Sequence, residues 1–159
     1  MHSIPALESR SVRWKSVATK RMPNENSDRD FALAHALLRV GLGVNLFTHG
    51  LVRLPDLAGF SAHVQKTMTQ SWIPLPLVIA TGYAIPFVEI AAGALLLLGL
   101  FLRPALVLGF LLLIVLMLGI CLAQNWTVAA EQLIYMAVLA ALLATARYDR
   151  YSLDAWRSR

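Results

Sequence analysis

The feature that most constrains this sequence is the gathering of its apolar residues into four runs, each long enough to cross a bilayer. We place helices at about 29–53, 75–100, 104–122 and 128–146. About 20 apolar residues span a hydrocarbon core of ~30 Å. Only 14% of the residues are charged, against about 25% in an average soluble domain. The sequence therefore predicts an all-α integral membrane protein. We expect an antiparallel four-helix bundle over residues 28–146, with basic tails at 1–27 and 147–159.

The stretch from 51 to 74, between the first two runs, differs from the rest because it mixes polar and apolar side chains. Its apolar residues recur at spacings of three or four: Leu57, Phe60, Val64 and Met68. This spacing is typical of a short amphipathic helix lying in the membrane interface. Trp72 and Trp126 would belong to one aromatic belt on the same side.

The basic residues indicate the orientation. Eleven of the 14 Lys and Arg residues lie in the two tails or in the turn at Arg103. Because loops that stay in the cytoplasm carry the excess of Lys and Arg, we expect both termini to be cytoplasmic. The net charge of +5 flanks apolar runs, which indicates membrane topology and not nucleic-acid binding. The predicted location is a bacterial-type inner membrane, crossed several times.

Ionisable residues within the runs predict a buried ion pair. The first helix carries one stripe of residues on a single face: His35, Arg39, Leu42, Leu46, His49 and Arg53. Glu89 is the only acid in the second run. At a rise of 1.5 Å per residue, Arg39 lies ~12 Å from Phe31 and Glu89 lies ~16 Å from Leu100, the cytoplasmic ends of the two apolar runs. An unpaired charge is costly in lipid, so we predict an Arg39–Glu89 pair, with either a structural or a proton-linked role.

A second polar group is predicted near the outer face. Thr48, His49 and Arg53 end the first helix there, and Glu131 is expected in the first turn of the last helix. One interpretation of Glu131 is an acid stabilised by the helix dipole. The other is a polar pocket for a quinone headgroup, in which His49 donates a hydrogen bond and carries a proton.

Other kinds of site are disfavoured. The predicted second, third and fourth helices contain no histidine, so a bis-histidine haem within one chain is not expected. We find no Cys/His spacing typical of a metal site. Cys121 is the single cysteine, which excludes an internal disulfide. Four glycines are interpreted as small residues that permit close helix packing: Gly41, Gly43, Gly93 and Gly99.

Several short motifs resemble the DoxX-like family of small membrane proteins. Those of the first helix are Arg39-Val-Gly41-Leu-Gly43 and Phe47-Thr-His49-Gly50-Leu-Val-Arg53-Leu54. Those of the second helix and the turn after it are Phe87-Val-Glu89-Ile-Ala-Ala-Gly93 and Leu96-Leu-Leu-Gly99-Leu100-Phe-Leu-Arg103-Pro104-Ala105. The resemblance covers residues 31 to 146. The family motif commonly has lysine where this chain has Arg53, and the charge is the same.

The resemblance implies a four-helix membrane subunit associated with an oxidoreductase or respiratory complex. Relatives include the small subunit of thiosulfate:quinone oxidoreductase. Quinone would be the cofactor and other membrane or redox proteins the partners, and the chain would not be a complete enzyme by itself. One alternative is a non-catalytic anchor or assembly subunit. A small transporter ranks last, because four helices without an inverted repeat are few for that function.

Overall fold

A computed structural model describes residues 25–69 and 71–158, and these ranges are helical without strands. The α-helices are α1 (Glu25–Arg53), α2 (Leu57–Thr67), α3 (Leu75–Leu98), α4 (Leu102–Leu122), α5 (Trp126–Ala144) and α6 (Leu153–Arg157). Short 3-10 turns follow α1, at Leu54–Asp56, and α5, at Ala146–Tyr148. Most of the predicted basic tail at 1–27 lies outside the described residues.

Within the described residues, four segments are long and apolar enough to cross a membrane, as predicted. They are Glu25–Thr67, which joins α1 and α2, and the helices α3, α4 and α5. The α4 helix is the most apolar, with a mean hydropathy of 3.1. Large apolar side chains such as Leu111 and Ile114 are half exposed on it. Such a surface suits lipid and not water.

The helices α1 and α3 pack closely and run in opposite directions. Gly43 of α1 lies against Leu97 of α3, and Gly50 lies against Pro86 and Ile90. A Cβ atom added to Gly50 would lie 2.5 Å from the Pro86 carbonyl oxygen, so only glycine fits there. Small residues at such points let two helix backbones approach each other.

The prediction for the glycines is confirmed at Gly43 and Gly93 and wrong at Gly41. Gly93 lies against the backbone of Phe47, whereas a Cβ on Gly41 would meet no atom within 4 Å. Gly41 points away from α3 because it is two residues from Gly43, on a different side of α1. Gly99 serves the turn that follows α3 and not a helix contact.

The core lies where α1, α3, α4 and α5 meet. It consists of buried leucines and alanines: Leu42, Leu46, Ala92, Leu96, Leu102, Ala105, Leu106, Leu113, Leu139 and Leu142. The contacts between α4 and α5 include Gly109, whose Cβ position would lie 3.3 Å from a methyl group of Leu139. The helix α2 packs on α3, where Ser61 meets Gly82. The predicted helix at α2 is thus observed, and its location in the interface stays a prediction.

The turn from α3 to α4 has a defined geometry. Gly99 has φ of 63°, in the left-handed region, and its N–H donates to Leu96 O. The N–H of Leu100 donates to Leu95 O at 3.0 Å. These two bonds form the Schellman arrangement that ends many helices at a glycine. The turn is therefore encoded by Gly99.

The residues after α5 fold back onto this turn. We refer to residues 146–158 as the C-terminal segment. Within it, the Asp154 N–H donates to Gly99 O at 3.1 Å, and an Asp154 carboxylate oxygen accepts from Leu102 N at 3.0 Å. The Ser152 hydroxyl caps α6 by accepting from Ala155 N at 3.0 Å. Residues 147–159 were predicted as a tail outside the helical domain. In the structure, the described part of this range, up to residue 158, packs against that domain.

Candidate functional site: two polar clusters on the first helix

The first polar cluster joins α1 to the ends of α3 and α5, and we call it the His35–Arg39 cluster. The Arg39 side chain is 2% exposed. Its Nη1 donates to the carbonyl of Leu96 and, at 3.2 Å, to that of Leu97. Its Nη2 donates to Tyr151 O at 2.7 Å. Arg39 therefore binds two carbonyl groups at the C-terminal end of α3, where the helix dipole is negative, and it holds the C-terminal segment to them.

His35 lies one turn before Arg39 and is equally buried. Its Nδ1 lies 2.9 Å from Thr145 Oγ1, and that hydroxyl donates to Ala141 O at 2.6 Å. Since this hydroxyl can donate its one hydrogen to Ala141 O, the His35 tautomer that can donate to it is the one with the proton on Nδ1. The His35 Nε2 is buried and has no hydrogen-bond partner among the described residues.

Asp149 adds a carboxylate to this cluster. It lies close enough to His35 and Arg39 to interact electrostatically with both. Its Oδ1 is buried without a hydrogen-bond partner in the described part of the chain. Opposite charges attract each other more strongly in a medium of low dielectric constant than in water. Asp149 therefore partly balances the buried Arg39 charge.

The second polar cluster, the Arg53–Glu89 cluster, joins the end of α1 to the middle of α3. Arg53 Nη1 donates to both carboxylate oxygens of Glu89, which is 3% exposed. The Arg53 guanidinium also lies over the Phe60 ring, 4.6 Å from its centroid. Its Nη2 lies 3.5 Å from His49 Nδ1. The Arg53 side chain is 26% exposed, so this cluster reaches the protein surface on the Arg53 side.

The predicted Arg39–Glu89 pair is wrong, because Glu89 pairs with Arg53. Arg39 lies beside Leu96, seven residues further along α3 than Glu89, which is about 10 Å at 1.5 Å per residue. The contact of Gly50 with Pro86 and Ile90 sets this register between α1 and α3. Arg39 binds backbone carbonyls through Nη1 and Nη2, while its buried Nε has no partner among the described residues. Arg53 binds the carboxylate.

The predicted outer pocket of Thr48, His49, Arg53 and Glu131 is assembled only in part. His49 and Arg53 are neighbours, while Thr48 and His49 are both exposed. Glu131 is also exposed, and within the described ranges it makes no hydrogen bond or ion pair with the other three. Its expected position in the first turn of its helix is wrong too. The α5 helix starts at Trp126, capped by Asn125, which accepts from Val128 N at 3.3 Å.

Three buried or half-buried polar residues were not predicted from the sequence. Thr145 lies at the end of the last predicted run and Asp149 follows that run, and both interact with His35 on α1. Gln132 is buried on α5, and its Oε1 has no partner among the described residues. Gln132 follows Ala129 and precedes Leu139 and Leu142 on the buried side of α5. Helical spacing could have identified it as an inward-facing polar residue.

The fold and these clusters define a small multi-pass membrane protein in which buried arginines link the helices. Residues 31–132 match the family model of the methylamine utilisation protein MauE. Because this match covers more than half of the chain, the protein belongs to the MauE family. No curated protein and no solved structure matches it.

The resemblance to the DoxX-like family is therefore wrong, since the matching family is MauE over much of the same range. The motifs behind that resemblance have a packing explanation. Gly50 and Gly93 lie where α1 and α3 come into contact, and Glu89 pairs with Arg53 across the same contact. Any two closely packed membrane helices with one buried ion pair need such residues, so the motifs do not distinguish between families.

Proposed function

We propose that this protein is a membrane-embedded accessory protein of methylamine utilisation and not a complete enzyme. The match of residues 31–132 to the MauE family model carries this proposal. The matched range includes both arginines and the whole contact between α1 and α3. The family match thus extends over α1 to α4 and the start of α5.

The use of the charged residues supports an accessory role. Arg39 is bound by three backbone carbonyls, and Arg53 and Glu89 bind each other. These bonds hold α1, α3 and the C-terminal segment together. Removing one partner of a buried pair is costly because the other charge is left unpaired. A scaffold of this kind suits a protein that presents a fixed surface to other proteins of a pathway.

The arrangement in the membrane belongs to the same proposal. The four spanning segments form an antiparallel bundle in a bacterial inner membrane, with both termini cytoplasmic. The α2 helix lies in the outer interface, beside the exposed Trp72 and Trp126. Proteins that work with this chain would contact the interfacial surfaces, and lipid would surround the apolar helix faces.

Deletion of the gene in its host tests the role. We expect growth on methylamine as the nitrogen or carbon source to be lost, while growth on ammonium and succinate is unchanged. The wild-type gene should restore growth, and a Glu89→Gln variant should do so poorly if it lowers the amount of folded protein in membranes. Normal growth of the deletion strain on methylamine would refute the proposal.

Quinone binding at His49 is a second candidate function. The observation that favours it is the connection from the exposed His49 through Arg53 to the buried Glu89, since an exposed imidazole can donate a hydrogen bond to a quinone carbonyl. Purified protein should then bind added ubiquinone, and His49→Ala should weaken binding at least tenfold. Glu131→Ala, a change at an exposed residue outside the Arg53–Glu89 cluster, is the control. Equal binding by wild type and His49→Ala would exclude this site.

A further inference from the structure

One surface of the molecule combines exposed aromatic and basic side chains. It lies where α3 ends and α4 begins. Tyr151 is 58% exposed and Trp156 is 73% exposed, and both belong to the C-terminal segment. We name this the aromatic–basic surface and define it by seven exposed residues: Phe101, Arg103, Arg150, Tyr151, Leu153, Trp156 and Arg157. None of the contacts described above for either polar cluster uses these side chains.

The aromatic–basic surface is held in place by backbone contacts. Arg39 binds the Tyr151 carbonyl, Asp154 bonds to both Gly99 O and Leu102 N, and Ser152 is buried against Gly99. The side chains of Tyr151 and Trp156 therefore project from a fixed backbone. Because the segment is already ordered, docking it on another surface costs less conformational entropy than ordering a free tail would.

The outward charge of this surface is positive. Residues 101–103 and 146–158 contain four arginines and two aspartates. One aspartate, Asp154, accepts from Leu102 N, and the other, Asp149, has a buried carboxylate oxygen near Arg39. Both acids thus face the protein. The arginines Arg103, Arg150 and Arg157 are exposed.

We propose that the aromatic–basic surface docks onto the anionic headgroups of the adjacent leaflet. The surface adjoins Gly99 and Leu102, where the spanning helix α3 ends and the spanning helix α4 begins. It therefore lies at the level at which headgroups begin. Tryptophan and tyrosine favour that level because one part of each ring is apolar and another part is polar. Arginine binds phosphate groups through its planar set of donors. An anionic lipid surface satisfies the position, the aromatic residues and the charge together.

Fluorescence of Trp156 in the full-length chain tests this proposal. The changes Trp14→Phe, Trp72→Phe and Trp126→Phe leave Trp156 as the only tryptophan. The protein is placed in nanodiscs of phosphatidylcholine alone or of phosphatidylcholine mixed with phosphatidylglycerol, each with and without brominated acyl chains. In the anionic discs we expect a blue-shifted emission, strong quenching by the brominated lipid and protection from acrylamide. High salt should reverse part of each change, since it screens exposed charges.

A matched protein that keeps Trp126 and lacks the other three tryptophans is the control. Trp126 is also exposed but begins α5, away from the C-terminal segment, so lipid charge should change its quenching much less. The pair Arg150→Gln and Arg157→Gln, added to the Trp156 protein, should weaken the preference for anionic lipid about fivefold per arginine. The helical circular dichroism of this variant should stay unchanged, because neither arginine side chain makes a hydrogen bond or ion pair within the described residues.

Three results would overturn the proposal. Trp156 open to acrylamide in both kinds of disc would mean that the surface faces water. Equal quenching by brominated lipid in both would mean that lipid charge plays no part. Protection from acrylamide without quenching by brominated lipid would mean that a second copy of the chain covers Trp156. Anionic-specific quenching that salt and the arginine changes weaken is the supporting result.

Discussion

Arg53 and Arg39 show how two arginines on one helix come to have different partners. Arg53 faces the Glu89 carboxylate, and Arg39 faces the carbonyl groups at the end of α3. Carbonyls at a helix terminus carry partial negative charge, and a carbonyl that already accepts one backbone N–H keeps a second lone pair. They can therefore stabilise a buried guanidinium without a carboxylate. The pairing of an intramembrane arginine with an acid is not the only way to satisfy it.

A double-mutant cycle measures which arginine Glu89 depends on. We expect Arg53→Gln and Glu89→Gln to be coupled by about 1–3 kcal/mol in the free energy of unfolding, because they share hydrogen bonds. Arg39→Gln and Glu89→Gln should be additive to within about 0.5 kcal/mol, because the two residues share no partner. Unfolding by sodium dodecyl sulfate in mixed micelles gives these energies. A larger coupling for Arg39 than for Arg53 would contradict the structure.

The sequence was sufficient to identify Arg39 and Glu89 as buried polar residues that connect helices, because charges in apolar runs must find partners. It was not sufficient to identify those partners. Depth counted along each helix depends on where the helix starts, and α1 is already helical at Glu25, four residues before the predicted start. The contact of Gly50 with Pro86 fixes the register, and no one-dimensional count includes that contact.

At the scale of the helix, the buried side of α1 follows its glycines more than its charges. His35, Arg39, Leu42 and Leu46 of the predicted stripe are buried, but His49 is exposed. The buried position near His49 is taken by Gly50. Because glycine permits the closest approach of a second backbone, α3 lies toward Gly43 and Gly50. The helical period predicted the buried face of α1 correctly as far as Leu46. Beyond Leu46, the buried residue is Gly50 and not His49.

Gly50→Ala and Gly41→Ala form a matched pair for this contact. A Cβ on Gly50 would lie 2.6 Å from Ile90 Cγ1 and closer still to the Pro86 carbonyl, whereas one on Gly41 would meet nothing within 4 Å. Gly50→Ala should destabilise the protein by about 1–3 kcal/mol through overpacking. Gly41→Ala should stabilise it by about 0.5–1 kcal/mol, since alanine is the better helix former. The unfolding midpoint in mixed micelles reports both changes.

The start of α4 depends on a side chain that is distant in sequence. The residue before it, Phe101, has φ of 49° and makes no side-chain cap, and Asp154 supplies the acceptor for Leu102 N. Asp154→Ala should therefore cost about 1 kcal/mol of stability, as the loss of a helix cap does. Asp154→Asn, which keeps an oxygen acceptor, should cost less. Faster hydrogen exchange at Leu102 in Asp154→Ala alone would identify the cap as the cause.

At the scale of the whole molecule, the C-terminal segment was the least predictable part. Residues 147–159 are basic and short of apolar residues, which is typical of a tail. The structure docks the segment through Tyr151 O, Asp154 and Ser152. The hydrogen bonds among these contacts use the backbone carbonyl of Tyr151 and the backbone N–H of Leu102. Backbone donors and acceptors are the same at every residue, so the sequence does not mark them. Hydropathy could therefore predict the four spanning segments and not this closure.

The four crossings lead to one prediction about the orientation of the protein in the membrane. Four spanning segments place the C-terminal segment on one side of the membrane and the loop between α2 and α3 on the other. With Cys121→Ala to remove the native thiol, Arg150→Cys and Thr69→Cys each add a single exposed thiol. In intact spheroplasts, a membrane-impermeant maleimide should label position 69 at once and position 150 only after permeabilisation, because the arginine-rich side stays in the cytoplasm. Labelling of both positions in intact spheroplasts would rule out four crossings, and labelling of position 150 alone would reverse the orientation. The second result would also place the aromatic–basic surface at the outer leaflet, where the same nanodisc measurement would still decide its preference for anionic lipid.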